Sequence, residues 1–256
     1  MTSDALVRLF GFGVTLIHGD LLVLDRWRWL KRRLPRTANG ERLLEVGCGS
    51  GAFTIGAATR GYTAMGLSWD EHNQSVASSR AQICGVDAQF PIIDARKLAE
   101  QIHLTARFDV VICFENIEHI IDDLKLMRDM ANCLKPGGRI ILTTPNIYYH
   151  EITKADLGPF REREDGGHVR RGYSRQMLNE LCLRTGLVME EIGSCGGFFS
   201  QKITGLQRAT SSLRIVSWVL TLPLRLMPIW FDELVRTIFG WPDYSICMVA
   251  YKARFD

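Results

Sequence analysis

Two short stretches carry residue types that could do chemistry. In "FENIEHI", residues 114–120, Glu115, Glu118 and His119 stand at i, i+3 and i+4. If a helix begins there they share one face, and such a trio can hold a divalent cation or supply a general base. In "RLLEVGCGSGAFT", residues 42–54, an apolar run stops at Gly47, glycines recur at 49 and 51, and a helix-forming run resumes. A chain so bare of side chains serves either a tight turn or a ligand lying against the backbone.

The surrounding elements must position both stretches. From residue 41 to about 145, strand-like and helix-like segments alternate. "RLLEVG", "YTAMGL", "AQFPII" and the β-branched "FDVVICF" read as four strands, and "KPGGRIILTT" as a Pro-Gly-Gly turn leading into a fifth. Helices are expected at 52–59, at 71–84 with Asp70 as N-cap, and at 122–134. Alternation of this kind predicts an α/β fold with a parallel sheet between layers of helices. Further on, a helix over 174–185 with Ser174 as N-cap, a sixth strand "LVMEEIG" and a last strand "YSICMVAYKAR" are expected. Residues 1–40 read as an N-terminal helical cap. Residues 41–256 form the main domain, with a polar, aromatic segment at 147–172 and an apolar insertion at 196–243.

In such sheets, ligands bind beyond the carboxyl ends of the strands where strand order reverses, so the glycine turn falls at a binding edge. The spacing Gly47-x-Gly49-x-Gly51 is not the dinucleotide fingerprint, because Ala52 stands at its third glycine. Glu45, near the end of a buried strand, calls for a cationic partner. Asp94 ends the third strand and puts a second carboxylate at the same edge.

Composition narrows the classes. The chain has 256 residues and a net charge of +3, too small by itself to argue for nucleic acid. Its seven cysteines are scattered without a C-x-x-C pair, against a zinc site or disulfide framework and for a reducing compartment. No secretory leader is read in "MTSDALVRLFGFG". The stretch 213–231 has nearly the length of a membrane span, but Arg214, Arg225, Pro223 and Pro228 argue against one. Together with Arg208, Arg236, Trp218, Trp230 and Phe231 it is the mixture of an interfacial segment, a candidate for peripheral membrane contact or for the lining of an apolar pocket. "DRWRWLKRRLPR", residues 25–36, reads as a basic helix face flanking tryptophans; no nucleic-acid module accompanies it.

"LLEVGCGSGAFT", "IIDA" and the block "FENIEHI…LKPGGRIILTTPN" together resemble the class I S-adenosylmethionine-dependent methyltransferases. The resemblance implies a Rossmann-like, doubly wound sheet of seven strands with the last one antiparallel. It also implies S-adenosylmethionine as cofactor. The turn Gly47, Cys48, Gly49, Gly51 would pass under its methionine and ribose, with Glu45 near the amino group. Asp94 and Ala95 would meet the adenine, and Phe114 the methionine moiety. Where the family usually has an acidic ribose ligand, Ser68 stands. "GLSWDEHN" is more similar to the cyclopropane-synthase-like enzymes, which implies Ser68 and Asn73 at the ribose and Trp69 on the adenine. Ordinary packing is the alternative for Trp69. Asp70 could be a substitute ribose ligand, with an N-cap role as the alternative.

"FENIEHI" resembles the ubiquinone-biosynthesis O-methyltransferases, in which E-x-x-E-H is associated with a divalent metal, such as Mg²⁺, at the acceptor site. By that resemblance Glu115, Glu118 and His119 are metal candidates, His119 and Glu118 catalytic candidates, and His168 either lines the acceptor pocket or braces a loop. His119 could equally orient loops. The expected reaction is methyl transfer to a hydroxyl of a small apolar or amphiphilic acceptor, in a cytoplasmic or membrane-peripheral protein. Carbon or nitrogen methylation, cyclopropanation of a lipid, and an inactive cofactor-binding subunit are the alternatives.

Overall fold

The computed structural model describes residues 3–17, 20–213, 217 and 221–253. Three helices, α1 (Ser3–Phe10), α2 (Gly13–Ile17) and α3 (Leu21–Lys31), precede the sheet. Strands β1 (Arg42–Val46), β2 (Thr63–Leu67), β3 (Ala88–Gln89), β4 (Phe108–Phe114) and β5 (Leu134–Pro145) follow, with helices α4 (Ala52–Ala58), α5 (Glu71–Cys84) and α6 (Asp123–Cys133) between them. Then come α7 (Arg175–Arg184), β6 (Leu187–Cys195), α8 (Phe198–Ala209), α9 (Met227–Phe239) and β7 (Ser245–Lys252). The seven strands lie in the order β3-β2-β1-β4-β5-β7-β6, and β7 alone runs antiparallel to its neighbours.

Both sheet faces are apolar because both are covered. On one, Leu44, Val46, Val111, Cys113, Ile140 and Leu142 meet Met127 and Met130 of α6 and Leu178 of α7. On the other, Leu43, Val110, Ile112 and Ile141 meet Trp27, Trp29 and Leu30 of α3 and Phe53 of α4. Local signals set the helix ends. The Asp70 side chain accepts from Asn73 N, and Gly85 stops α5 in the left-handed region.

Two expectations need correction. The third strand shrinks to Ala88–Gln89, with one further bridge from Ile92 to Ser68. Pro91 has no N–H to give a ladder, so the strand cannot run on through it. "KPGG" makes no turn ahead of β5. It is a bulge inside that strand, where register jumps from Phe108–Leu134 to Val110–Arg139 and Lys135 Nζ donates to both Asp109 oxygens at 2.8 Å.

Within the insertion, α9 is fastened to α8 by Asp232. Its carboxylate accepts from Phe199 N at 2.6 Å and Ser200 N at 3.3 Å, capping α8 from another helix. The Ser200 hydroxyl lies between Asp232 and Asp25 of α3, within hydrogen-bond distance of both at 2.8 and 2.5 Å, and its one proton serves either carboxylate. Among the described residues no helix is long and apolar enough to cross a membrane. Arg214 and Trp218 lie outside the described residues.

Candidate functional site

Strand order reverses between β1 and β4, and a pocket of about 210 Å³ opens beyond their carboxyl ends. The glycine turn forms its floor. Gly47 has φ +81°, and a Cβ there would lie 2.3 Å from the Asn116 side chain, so only glycine lets the β1 and β4 loops close on each other. Of the expected cofactor residues, Gly47, Gly49, Ser68 and Trp69 line this pocket. Asn73, Asp94 and Ala95 line it too. Trp69 is 60% exposed at the pocket wall, which rules out ordinary core packing for its ring. Asp70 caps α5 with one oxygen and holds Asn73 Nδ2 with the other at 3.0 Å.

Asp94 is not free. Arg96 donates to it through N and Nε at 2.9 Å, and this guanidinium holds the carboxyl below its usual range. Arg96 also reaches Glu164 Oε2 at 3.2 Å, tying the 160s loop across the pocket. Nothing in the residue pattern singles out Arg96; its role appears only when Glu164 is folded over it.

Four expected residues do not reach the pocket. Phe114 is turned into the core, edge-on to Phe53 at 4.9 Å. Gly51 is spent on packing, since a Cβ would lie 2.8 Å from Ala77 and Phe90. Cys48 Sγ is buried and donates to Gln74 Oε1 at 3.2 Å, and burial pushes its thiol well up.

Glu45 is buried with the Thr54 hydroxyl donating to it, in place of the cation expected. Burial pushes its carboxyl up to about 8, so the neutral acid needs no counter-charge. A raised folded-state value makes this stability fullest below the unfolded value near 4.5 and lost as pH rises through about 8. The urea midpoint should therefore fall between about pH 5 and about pH 9, and Glu45→Gln should flatten that fall. Equal slopes in the two proteins would show that Glu45 does not titrate there.

The trio in "FENIEHI" is rearranged. Glu115 has φ +49°, and the turn after it is a single 3-10 turn, Ile117–His119, so the three side chains share no helix face. Glu115 leaves toward α3 and β7. It pairs with Arg26 Nη2 at 3.3 Å and accepts from the Ser245 hydroxyl at 3.0 Å. Arg26 Nε donates to the same hydroxyl at 3.3 Å. With a guanidinium beside it, Glu115 is removed from the metal candidates.

His168 takes its place. Its ring stands edge-on to His119 with centroids 4.6 Å apart, and His119 Nε2 lies 3.9 Å from Glu118 Oε1. Donor atoms of Glu118, His119 and His168 all lie within 4.8 Å of one another. Glu118 Oε1 and His119 Nδ1 are buried with no hydrogen-bond partner among the described residues, an arrangement that suits a ligand between them. Burial and His119 lower His168 to about 4, so it stands neutral with a nitrogen lone pair. Burial, then Glu115, pushes the Glu118 carboxyl above its usual range, while Thr144 Oγ1 donates to its other oxygen at 3.1 Å.

His168 also walls a larger cavity of about 930 Å³, enclosed by residues 153–165 and by Arg208 of α8. Val169 N donates to Glu118 O at 3.0 Å and pins this segment to the β4 loop. The glycine-floored pocket and the large cavity thus meet at the His119–His168 pair.

Comparison with known proteins agrees with this architecture. The sequence family described as "Methyltransferase domain" matches residues 23–192. The ubiquinone biosynthesis O-methyltransferase of Pseudomonas fluorescens (strain SBW25) is 35% identical over 135 residues, 51% of this chain and 56% of that protein. The chain therefore spans about half the length of the curated relatives it matches. Among solved structures, Haemonchus contortus phosphoethanolamine N-methyltransferase 2, in complex with S-adenosyl-L-methionine, superposes with a TM-score of 0.67 at 16% identity, over 99% of this chain and 60% of that one. The [4+2]-cyclase SpnF superposes with a TM-score of 0.62 at 17% identity, over 91% of this chain and 82% of that one. Likeness at that level carries the fold; the reaction must be argued from the site.

Proposed function

The chain belongs to the methyltransferase-domain family, and from that premise we propose that it transfers the methyl group of S-adenosylmethionine to a hydroxyl oxygen of a small apolar or amphiphilic acceptor. One observation carries this reading: a glycine-floored pocket and a second, larger cavity meet at a pair of imidazoles. Their junction is where donor and acceptor must be held in line, and alignment is most of what an activated methyl requires.

In the step proposed, the acceptor oxygen attacks the sulfonium methyl. An O–C bond forms, the C–S bond breaks, and its electron pair goes to the sulfur, which leaves as a neutral thioether. His119, placed between the two spaces, takes the hydroxyl proton. The imidazolium so formed stands 3.9 Å from Glu118, and its charge draws that carboxyl back toward the ionised form. The loop held by Arg96 and Glu164 covers the donor and keeps water from competing.

Glu118, His119 and His168 are also the residues that would hold a divalent cation. Two imidazoles and one carboxylate suit a borderline ion such as Zn²⁺ better than Mg²⁺, which prefers oxygen ligands. Such an ion would supply Lewis acidity, lowering the acceptor hydroxyl's pKa.

Methyl-labelled S-adenosylmethionine incubated with the protein and an extract of the producing cells tests the reading. Label in the organic phase after partition supports an apolar acceptor. Label confined to water-soluble products overturns that part, and binding without any S-adenosylhomocysteine formed overturns the enzyme assignment. The donor site has its own check. Asp94→Ala should weaken S-adenosylhomocysteine binding by about 1–3 kcal/mol, the worth of a hydrogen bond to a charged group. Unchanged affinity by calorimetry would remove Asp94 from the site.

A further inference from the structure

Helix α9 presents an apolar stripe that nothing among the described residues covers. Leu226, Trp230, Leu234 and Ile238 recur every fourth residue, and all are exposed, with Phe231 and Phe239 beside them. Trp230 is 75% and Phe239 76% exposed, the reverse of what a soluble surface selects for such side chains. From Leu226 to Ile238 the stripe runs about 18 Å at the helical rise. The helix is nonetheless well anchored on its other side, through Asp232, which caps α8, and through buried Pro228.

Charge around the stripe is one-sided. Arg28 and Arg32 of the α3 end wall a cleft together with Pro228, Ile229 and Glu233 of α9, and Lys31, next to Arg32 in the chain, is exposed. Lys31 and Arg32 have no ion pair among the described residues. The acidic groups nearby are turned inward. Asp25 and Asp232 are held by Ser200, and Asp243 by Ser194 and Arg236. Of the described acids that line this cleft, Glu233 faces out, and it pairs with Arg236 at 3.6 Å.

We propose that this face docks on an anionic lipid bilayer, with the α9 stripe sunk at the boundary of headgroups and acyl chains and the α3 cations on the lipid phosphates. An exposed tryptophan in an apolar row rimmed by lysine and arginine is complementary to such a surface on both counts. A second copy of this chain fits less well, because pairing the stripes would set one basic rim against the other. Acceptor chemistry does not enter the argument, so this inference stands apart from the methyl-transfer reading.

The experiment uses the full chain and sedimentation with two vesicle preparations, pure phosphatidylcholine and phosphatidylcholine with about one third phosphatidylglycerol. The chain should sediment with the anionic vesicles, release in high salt, and stay in solution with the neutral ones. Trp230→Glu with Leu234→Glu should lower the bound fraction at least about tenfold. Both positions are exposed, so an unchanged thermal midpoint in that variant shows that the fold survives. Lys31→Glu with Arg32→Glu should weaken binding to anionic vesicles while leaving the stripe intact. The proposal is overturned if the wild-type chain ignores anionic vesicles, or if the stripe variant sediments as well as the wild type. A wild-type dimer in ultracentrifugation that the stripe variant converts to monomer, with no vesicle binding by either, would assign the face to a second copy instead.

Discussion

Replacing His119 with alanine is expected to slow turnover by roughly 10²-fold or more while leaving S-adenosylhomocysteine affinity nearly intact. The ring stands between the pocket and His168, 3.9 Å from the Glu118 carboxylate, so its loss removes the group best placed to take the acceptor proton. The pocket's glycine floor, Trp69 and Asp94 are untouched by that change. Added imidazole should restore part of the rate if the ring acts as a base. If the cluster instead holds a metal, His119→Ala, His168→Ala and Glu118→Gln should each lose the bound ion by elemental analysis, and imidazole should not help. Full activity in His119→Ala would eliminate both roles.

The second large effect is expected at Arg26. This side chain and Glu115 are 10% and 15% exposed, and they meet where α3, β7 and the β4 loop converge. Arg26→Met leaves the Glu115 charge buried with only the Ser245 hydroxyl, a loss of about 3–5 kcal/mol for a broken buried pair. Urea unfolding measures it. S-adenosylhomocysteine affinity should fall too, because Glu115 and Asn116 are pocket walls whose placement depends on the pair. Adding Glu115→Gln to Arg26→Met removes the stranded charge and should recover part of the stability. No recovery in the double variant would mean that the packing of the Arg26 stem matters, not the charge.

The Arg26–Glu115 pair also marks the limit of what local sequence makes legible. The bounds of α5 and β4 were legible because their causes are local: Asp70 and Gly85 at the helix ends, and a β-branched run between breakers. The glycine turn was legible as a binding edge because a parallel sheet can put it nowhere else. Glu115 was not legible. Its direction follows from a positive φ and from partners at Arg26 and Ser245, both remote in the chain. Glu45 misled for a different reason. A buried acid can be neutralised by its own titration as well as by a cation, and burial decided for the former, outweighing the Thr54 hydroxyl that donates to Glu45 from the first turn of α4. His168 could be assigned to the acceptor side only by analogy, since α6, β5 and a long loop separate it from His119 along the chain.

Strand β7 lies between β5 and β6, yet it is the last of the three along the chain. During synthesis β5 and β6 therefore leave the ribosome without the partner that joins them, and both wait as open edges. The apolar α8 and α9 segments emerge in that interval, before residues 245–252 complete the sheet. A nascent chain in this state carries its oiliest helix while two of the seven strands, β6 and β7, still lack their places in the sheet.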